Sequence, residues 1–350
     1  MAADASASTL PSRLPRLSIA GVIGSIVLLL AVLLLIKNFT VAPSRFVEVT
    51  LIGVTTGCVY ALVALGYTLV YGILELINFA HGDVFMLGGM FTITYATHLF
   101  GLHEGQGAVT VPIIFATLLI TMLTCGLLNA SIEFIAYRPL RHAPRLAPLI
   151  TAIGVSFILQ NVALAWKGSN FITAPDVLPH SDLFNAWGIN YGWSKFIVVG
   201  ITIPVLLVLL WLVQRTRQGK AMRATAQDKD AAAIMGINVN RTISFTFLIA
   251  GGLAGAAGLC YALYVTTVRF DQGFQLGLIA FTAAVLGGIG NLPGAVLGAI
   301  LIGLIQSWNE GLPWHMPGSD WTQSIVFSIL ILILVFRPEG LLGERTPEGG

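Results

Sequence analysis

The sequence predicts an all-α polytopic membrane protein that crosses the bilayer eight to ten times. Of its 350 residues, 56% are hydrophobic and only 10% are charged, whereas a soluble domain carries about 25% charged residues. Apolar runs without an ionisable side chain, such as 19–36 and 196–213, come close to the ~20 residues that span a bilayer as a helix. Lipid is therefore the expected solvent for most of the chain.

The predicted spans follow one another with short connections. They are the runs 19–36, 47–72, 84–100, 109–136, 147–165, 195–213, 242–267, 278–289, 294–309 and 321–336. Two of them, 278–289 and 294–309, are short for full spans, and Gly290-Asn291-Leu292-Pro293 separates them. We interpret this pair as two short helices or as a re-entrant segment, and that ambiguity sets the range of the predicted count.

Basic residues predict how the chain is oriented in the membrane. With the N-terminus in the cytoplasm, 13 of the 18 Lys and Arg residues fall on the inside and five fall on the outside. Cytoplasmic loops of membrane proteins carry this kind of excess. We therefore expect both termini in the cytoplasm.

Composition also divides the chain into regions. Residues 1–18 are rich in Ala, Ser and Pro, which is typical of a disordered tail. Residues 19–345 form the predicted transmembrane domain, in which the helix 19–36 precedes a core that begins near Arg45. The inside loop 214–241 is the longest cytoplasmic connection and carries many basic residues.

Within this loop, the stretch 221–236 is rich in Ala and favours a helix at the cytoplasmic surface. Its basic residues are suited to contact lipid headgroups. Alternatively, the helix docks into a groove on a cytoplasmic partner. Both interpretations stay open at this point.

Several classes of site are not indicated by the sequence. The odd number of cysteines, Cys58, Cys125 and Cys260, lies in apolar runs and implies no disulfide framework. The six histidines are scattered, and no spacing suggests a metal site. Basic residues are not interleaved with aromatic ones, so we expect no nucleic-acid partner. No phosphate-binding loop of the Gly-x-x-x-x-Gly-Lys-Ser/Thr type occurs. We expect that the chain binds no cofactor and that it is not an enzyme.

Glycines are abundant, with 38 in the chain. Gly251 with Gly255, Gly290 with Gly294, and Gly294 with Gly298 have the spacing of helix-packing pairs. In lipid, small residues let helix backbones approach one another. Close helix packing is the expected role of these pairs.

A dense polar group comprises Glu75, Asn78, His81 and Asp83, and the predicted topology puts it at the cytoplasmic end of the second and third helices. Asp83 opens an apolar run, so it is suited to cap that helix. Alternatively, it contacts the transported solute, because an ionisable group at membrane depth is usually functional. Glu133 lies just before the basic cluster 138–145 and is expected to pair with it, with an ion site as the alternative.

The stretch Tyr67 to Asp83, with its core Asn78-Phe79-Ala80-His81-Gly82-Asp83, resembles the signature of LivH-type permeases of branched-chain amino-acid ABC transporters. Segments 137–141, 223–237, 286–294 and 336–343 agree with the same family. The resemblance runs from about residue 45 to 345. It implies an ABC importer permease in the bacterial inner membrane, embedded in lipid.

The family pattern also implies partners and sites. The chain would form half of a pore with a LivM-type permease, two cytoplasmic ATPases that bind the ATP, and an external solute-binding protein. Asn78, His81, Gly82 and Asp83 are the candidate substrate-pathway residues. The loop resembles the Glu-Ala-Ala-x-x-x-Gly pattern that engages ATPases, with Asp230 in place of Glu and without the usual later Leu-Pro. The candidate coupling residues are Arg223, Asp230, Ala231, Ala232 and Gly236.

Three other functions remain as alternatives. Closely related permeases carry urea or short amides, and one half-pore does not identify the solute. A secondary carrier coupled to protons or sodium would use Glu75, Asp83 or Glu133 as its ion site. A membrane enzyme would need His81 and Asp83 as an acid–base pair, but no nucleophile or metal site accompanies them in the sequence.

Overall fold

The computed structural model describes residues 19–102, 110–141, 143–144, 146–175, 178, 182–186, 188–337 and 339–343. The predicted tail 1–18 lies outside these residues. The helices are α1 Ile19–Val41, α2 Pro43–Leu74, α3 Ala80–Thr94, α4 Thr110–Ile132, α5 Leu146–Lys167, α6 Trp193–Arg215, α7 Arg217–Gln227, α8 Lys229–Ile234, α9 Val239–Val265, α10 Gln272–Gly287, α11 Leu292–Gly311 and α12 Ser319–Phe336. A π-helical turn extends α3 over Tyr95–Leu99, and another extends α4 over Glu133–Tyr137.

Among the described residues, four short strands lie between the helices. Strand β1 (Ile172–Thr173) pairs antiparallel with β4 (Thr267–Val268), with Ile172 opposite Val268. Strand β2 (Asp182–Ala186) pairs antiparallel with β3 (Ile189–Gly192). These pairs join the end of α5 to the start of α6 and to the end of α9, so they cover one end of the helical bundle.

The predicted membrane architecture is confirmed. Within the described residues, seven helices are long and apolar enough to cross a bilayer: α2, α4, α5, α6, α9, α11 and α12. Helix α1 has 23 residues, and α3 and α10 are shorter, with 15 and 16 residues. The expectation that 278–289 and 294–309 are both short is wrong for the second piece, because α11 begins at Leu292 and has 20 residues.

Two helices form the centre of the bundle. In α2 and α9, 72% and 78% of the apolar window is buried, compared with 22% in α5 and α6 and 11% in α12. The outer helices therefore present apolar surfaces that, in this chain alone, no other helix covers. Such surfaces are suited to lipid or to another membrane subunit.

Glycines allow the central helices to approach closely. A Cβ at Gly255 of α9 would lie 2.7 Å from the carbonyl oxygen of Thr121 in α4, and one at Gly251 would collide with the carbonyl oxygen of Cys125. The predicted role of these two glycines in packing is confirmed.

The second glycine seam joins α10 to α11. A Cβ at Gly294 or Gly298 would collide with the backbone of α10 at Gly287 or Ala283, which confirms the packing role of both. Gly290 differs, since it has open space around it and a φ of 97°. It belongs to the turn between the helices, where a positive φ favours glycine.

Helix α1 is attached at its last turn. Asn38 is fully buried, and its side-chain amide donates to the carbonyl oxygen of Trp314 at 3.2 Å, while its oxygen accepts from the Trp314 backbone N–H at 3.0 Å. Both bonds reach the connection between α11 and α12. The side chain thus replaces a backbone partner and holds the end of α1 against the core.

The glycine seam predicts a specific loss of stability. Gly251→Ala places a methyl group against the Cys125 carbonyl and within 2.6 Å of Asn129 Cβ, so α4 and α9 must separate. Overpacking of this kind costs about 1–3 kcal/mol. We expect a lower melting temperature in detergent, measured by differential scanning fluorimetry.

The matched control is Gly200→Ala in α6, where a Cβ would meet nothing within 4 Å. The same substitution there removes a poor helix former at no steric cost. An equal change in melting temperature for the two variants would contradict the close packing of α4 on α9.

Candidate functional site

Helix α3 begins inside the bundle. After α2 ends, Glu75 adopts a φ of 56° and its N–H donates to Tyr71 O at 2.7 Å, which terminates the helix. The chain then turns back, and the imidazole of His81 lies where a Cβ at Gly66 would be. Gly66 lies eight residues before the end of α2, which is about 12 Å at ~1.5 Å per residue.

His81 and Asp83 lie in the first turn of α3, at a helix end as the sequence predicted, but α3 begins inside the bundle and not level with the end of α2. Asn78 stays near that end, since its side-chain oxygen accepts from the Tyr137 hydroxyl at 2.7 Å beyond the last turns of α4. The sequence could not show whether the break lies at the end of the bundle or inside it, because an interrupted apolar run has the same pattern in both cases.

His81 and Gly82 form a closely packed junction. The imidazole is fully buried and meets the Tyr67 ring edge-on at 4.8 Å between centroids. A Cβ at Gly277 of α10 would lie 2.8 Å from Gly82 Cα, and one at Gly273 would lie 2.7 Å from Gly82 O. Three glycines thus bring α3 and α10 into backbone contact, and a side chain at residue 82 would separate them.

Asp83 reaches the opposite side of α3. Its carboxylate accepts hydrogen bonds from the Ser156 hydroxyl and, at 3.1 Å, from the Gln160 amide. The first position of α3 follows Phe79, and no side chain caps it, so the predicted capping role of Asp83 is wrong. Ser156 lies in the middle of α5, which places this fully buried carboxylate at bilayer depth.

Glu133 makes the predicted pairing with the basic cluster. Its carboxylate forms an ion pair with Arg141 and accepts a hydrogen bond from the Ser244 hydroxyl. Glu133 is fully buried. Burial lowers the pKa of the Arg141 guanidinium and the Glu133 charge opposes that shift. The Ser244 hydrogen bond ties the end of α4 to the start of α9, and Arg141 neutralises the buried charge.

The loop between α6 and α9 contains two helices rather than the single one predicted for 221–236. Asp228 separates α7 from α8, and its carboxylate accepts from the backbone N–H groups of Asp230 and Ala231, both at 2.9 Å. This is a helix N-cap, which satisfies free donors of the first turn. The Ala-rich composition concealed the break, but an Asp before a helical run was a visible signal.

Helix α8 presents an apolar tip. Ile234 and Met235 are 86% and 81% exposed, whereas Ala232 on the same helix is buried. Asp230 and Ala231 are exposed beside them, and Gly236 ends the helix with a φ of 84°. Two large apolar side chains at the end of a polar loop are unfavourable in water, so this tip is suited to a protein surface.

Arg223 is bound to the end of α6. Its guanidinium donates to the carbonyl oxygen of Val213. It therefore fastens α7 to α6. Ile234 and Met235 were missed by sequence reasoning, although their isolation in a polar loop indicated them.

Within the described residues, no three His, Cys, Asp or Glu side chains come close enough together to hold a metal ion. The cavities found among α2, α9 and α11, beside α4, and between α3 and α9 are lined by residues other than Asn78, His81, Gly82 and Asp83. These four residues, which we call the polar junction, are all buried in this structure.

Residues 49–335 match the family described as "Branched-chain amino acid transport system / permease component". The chain belongs to this family. It is 37% identical over 300 residues to the high-affinity branched-chain amino acid transport system permease protein BraD of Pseudomonas aeruginosa, and 36% identical over 304 residues to LivH of Escherichia coli strain K12. Each comparison covers 85% of this chain and 95% of the relative.

The family match gives the described geometry its context. It begins at residue 49, within α2, and ends within α12, so it includes the polar junction and the loop between α6 and α9 but not α1. The chain is thus a multi-pass transport permease with an additional N-terminal helix. Permeases of ABC transporters act with ATPase and substrate-binding partners.

The Glu133 ion pair predicts an asymmetric response to mutation. Arg141→Met leaves a buried carboxylate without its partner, which costs about 3–5 kcal/mol. Adding Glu133→Gln removes the unpaired charge, so we expect the double variant to recover most of the lost melting temperature.

Arg138→Met is the matched control, because Arg138 lies three residues earlier and its guanidinium lies 5.3 Å from the Phe134 ring centroid. Such a contact is worth about 0.5–1 kcal/mol at an exposed site. Melting temperatures that fall equally in Arg138→Met and Arg141→Met, with no recovery in the double variant, would contradict the buried pair.

Proposed function

We propose that this permease is one of two pore-forming subunits of an ATP-driven importer of branched-chain amino acids in a bacterial inner membrane. A LivM-type permease would supply the second half of the pore, two cytoplasmic ATPases would bind ATP, and an external protein would deliver the solute. The observation that carries this proposal is the identity of 36–37% to BraD and LivH over nearly their full length. The chain acts as a transporter subunit and not as an enzyme.

The orientation follows from charge. With both termini in the cytoplasm, the basic loop between α6 and α9 lies on the inside, as the positive-inside rule favours. The tip formed by Ile234 and Met235 then points into the cytoplasm, where an ATPase is accessible. Exposed apolar side chains supported by a buried neighbour are typical anchors of a protein interface.

The loop is packed firmly against the end of α6, so a movement of the loop would also move that helix. A Cβ at Gly219 would collide with the carbonyl oxygens of Leu212 and Val213, and the Gly219 N–H donates to the Thr216 hydroxyl at 3.0 Å. Helix α7 therefore lies tightly against the end of α6. Together with the Arg223 bond to Val213, this contact makes a rigid lever, and movement of packed elements as rigid bodies is a common switching mechanism.

We propose that the signature residues contribute to the solute pathway through the polar junction. Asp83 connects α3 to α5 through Ser156 and Gln160, and Gln160 is only partly buried. The neighbouring Phe157 and Asn161 are exposed on α5, so this face is open to a partner or a pore. We assign Asp83 and Gln160 to the pathway wall, with Asn78, His81 and Gly82 holding the junction that positions them.

Docking through the apolar tip predicts the effect of one added charge. Ile234→Asp puts a carboxylate into the proposed ATPase groove, where it loses hydration without a partner. We expect ATPase binding to the detergent-solubilised permease to weaken at least tenfold, which corresponds to about 1.4 kcal/mol. Equilibrium binding of the purified ATPase to immobilised permease measures this.

Gln214→Asp adds the same charge at an exposed position of α6 and serves as the control. Ile234 is exposed, so neither variant changes a packed residue, and both should keep the wild-type melting temperature. Unchanged ATPase binding in Ile234→Asp would exclude this tip as the docking element.

The transport function is tested by reconstitution. In proteoliposomes that contain both permeases and the ATPases, with the binding protein outside, we expect leucine uptake that requires ATP and continues after ion gradients are collapsed with ionophores. Uptake of urea under the same conditions is the comparison for the other cargo. Leucine uptake driven by an ion gradient without ATP would contradict an ATP-driven importer and support a secondary carrier.

A further inference from the structure

A cavity lies at the end of the bundle opposite the loop between α6 and α9. It has a volume of about 300 Å³ and lies between the first turns of α2 and α10 and the last turns of α9 and α11. Under the proposed orientation this end faces the outside. The volume is at the lower limit of the ~300–1,000 Å³ typical of small-molecule sites, so the cavity fits a compact solute.

One wall of the cavity presents a fixed carboxylate. Glu310 Oε1 accepts from the Gln306 amide at 3.1 Å and from the Thr322 hydroxyl at 2.8 Å. Gln306 is itself held, because its oxygen accepts from the Tyr60 hydroxyl at 2.7 Å. Both hydrogen bonds to Glu310 are accepted by Oε1. Among the described residues nothing donates to Oε2, so this second oxygen is available to accept from a cation.

The opposite charge lies at the same mouth. Arg45 lines the cavity, and its Nε donates at 3.2 Å to the carbonyl oxygen of Gly311, the residue after Glu310. Nη1 donates to Glu48 at 3.2 Å, and the Arg45 side chain is 48% exposed. The guanidinium is therefore tethered at two nitrogens while a third donor group, Nη2, is available for an anion.

Apart from Thr56 and Ser307, the remaining lining is apolar or aromatic. It includes Tyr261 and Tyr264 of α9, Val49 and Ile52 of α2, and Leu276 of α10. Aromatic rings and branched aliphatic side chains form a suitable surface for a short branched hydrocarbon group. The cavity thus combines an anionic group, a cationic group and an apolar wall.

We propose that this cavity is a binding site for a free zwitterionic α-amino acid with a branched apolar side chain, at the outer mouth of the permease. The ammonium group binds Glu310, the carboxylate binds Arg45, and the side chain lies against Val49, Ile52 and Leu276. The inference rests on the proposed function and gives the permease its own selectivity, in addition to that of the external binding protein.

The test measures leucine binding to the assembled transporter without the binding protein, in phosphatidylglycerol nanodiscs that supply no lipid ammonium group. Saturation-transfer NMR and radioligand competition suit the weak affinity of a transfer site. Isoamylamine lacks the carboxylate of leucine and 4-methylpentanoate lacks the ammonium group. We expect each to bind at least tenfold more weakly than leucine.

Two variants separate the charges. In Glu310→Gln the amide oxygen still accepts from Gln306 and Thr322, so the fold should be retained. We expect this variant to bind leucine and 4-methylpentanoate with equal affinity. Arg45→Gln should lose the preference for leucine over isoamylamine, and Arg45→Lys should restore part of it. Asp320→Asn, which removes an exposed carboxylate from the first turn of α12 outside the cavity, should bind leucine like the wild type.

Uptake assays on the same variants distinguish the failure of this site from failure of the proposed function. ATP-dependent leucine uptake by the wild type, with unchanged leucine binding in Glu310→Gln and Arg45→Gln, would overturn the site and leave the function intact. Leucine binding lost in both variants, without ATP-dependent uptake by the wild type, would keep the site and overturn the function. Absence of both binding and uptake in the wild type would overturn both.

Discussion

Glycines bring the helix backbones of this bundle into direct contact. Lipid supplies no hydrophobic force between helices, so association relies on dispersion contacts and hydrogen bonds. Gly82, Gly273 and Gly277 bring α3 and α10 together, and Gly255 brings α9 onto α4. Without these contacts the buried polar side chains at the same depth would lose the partners that make their burial tolerable.

The buried ionisable groups follow from that packing. Asp83 is paired with donors on α5, and Glu133 is paired with Arg141 and Ser244. Charged groups at bilayer depth are expensive unless they are paired, and those retained usually have a function. The two carboxylates differ in position, since Glu133 fastens the helix ends next to the loop between α6 and α9 while Asp83 connects α3 to the partly exposed face of α5.

Continuous contacts connect the loop between α6 and α9 to the rest of the permease. Helix α8 continues through Asn238, which caps α9 by accepting from the Arg241 N–H at 3.0 Å. Helix α9 in turn lies against α3 and α4 and ends at the wall of the cavity that Arg45 and Glu310 line. Helix α8 is therefore connected to a buried helix that extends to the opposite end of the bundle.

The sequence was sufficient for the features that composition and local spacing determine. Apolar runs predicted the membrane spans, and the spacing of Gly251 and Gly255 predicted a packing seam. Non-local pairings could not be predicted in this way: Ser156 and Gln160 lie far from Asp83 in the chain, and nothing near them indicates the contact. The family resemblance indicated which signature residues matter, but not that the start of α3 lies inside the bundle.

The buried polar junction requires that α3 begins within the bundle. In a variant with Cys58, Cys125 and Cys260 replaced by Ala, single cysteines at Glu75, which is exposed, and at Ala80, which is fully buried, can be treated with a charged methanethiosulfonate reagent without ATP. We predict rapid labelling of Glu75→Cys and protection of Ala80→Cys. Equal labelling at the two positions would show that the junction is open to water and would contradict the closed packing of α3 against α2 and α10.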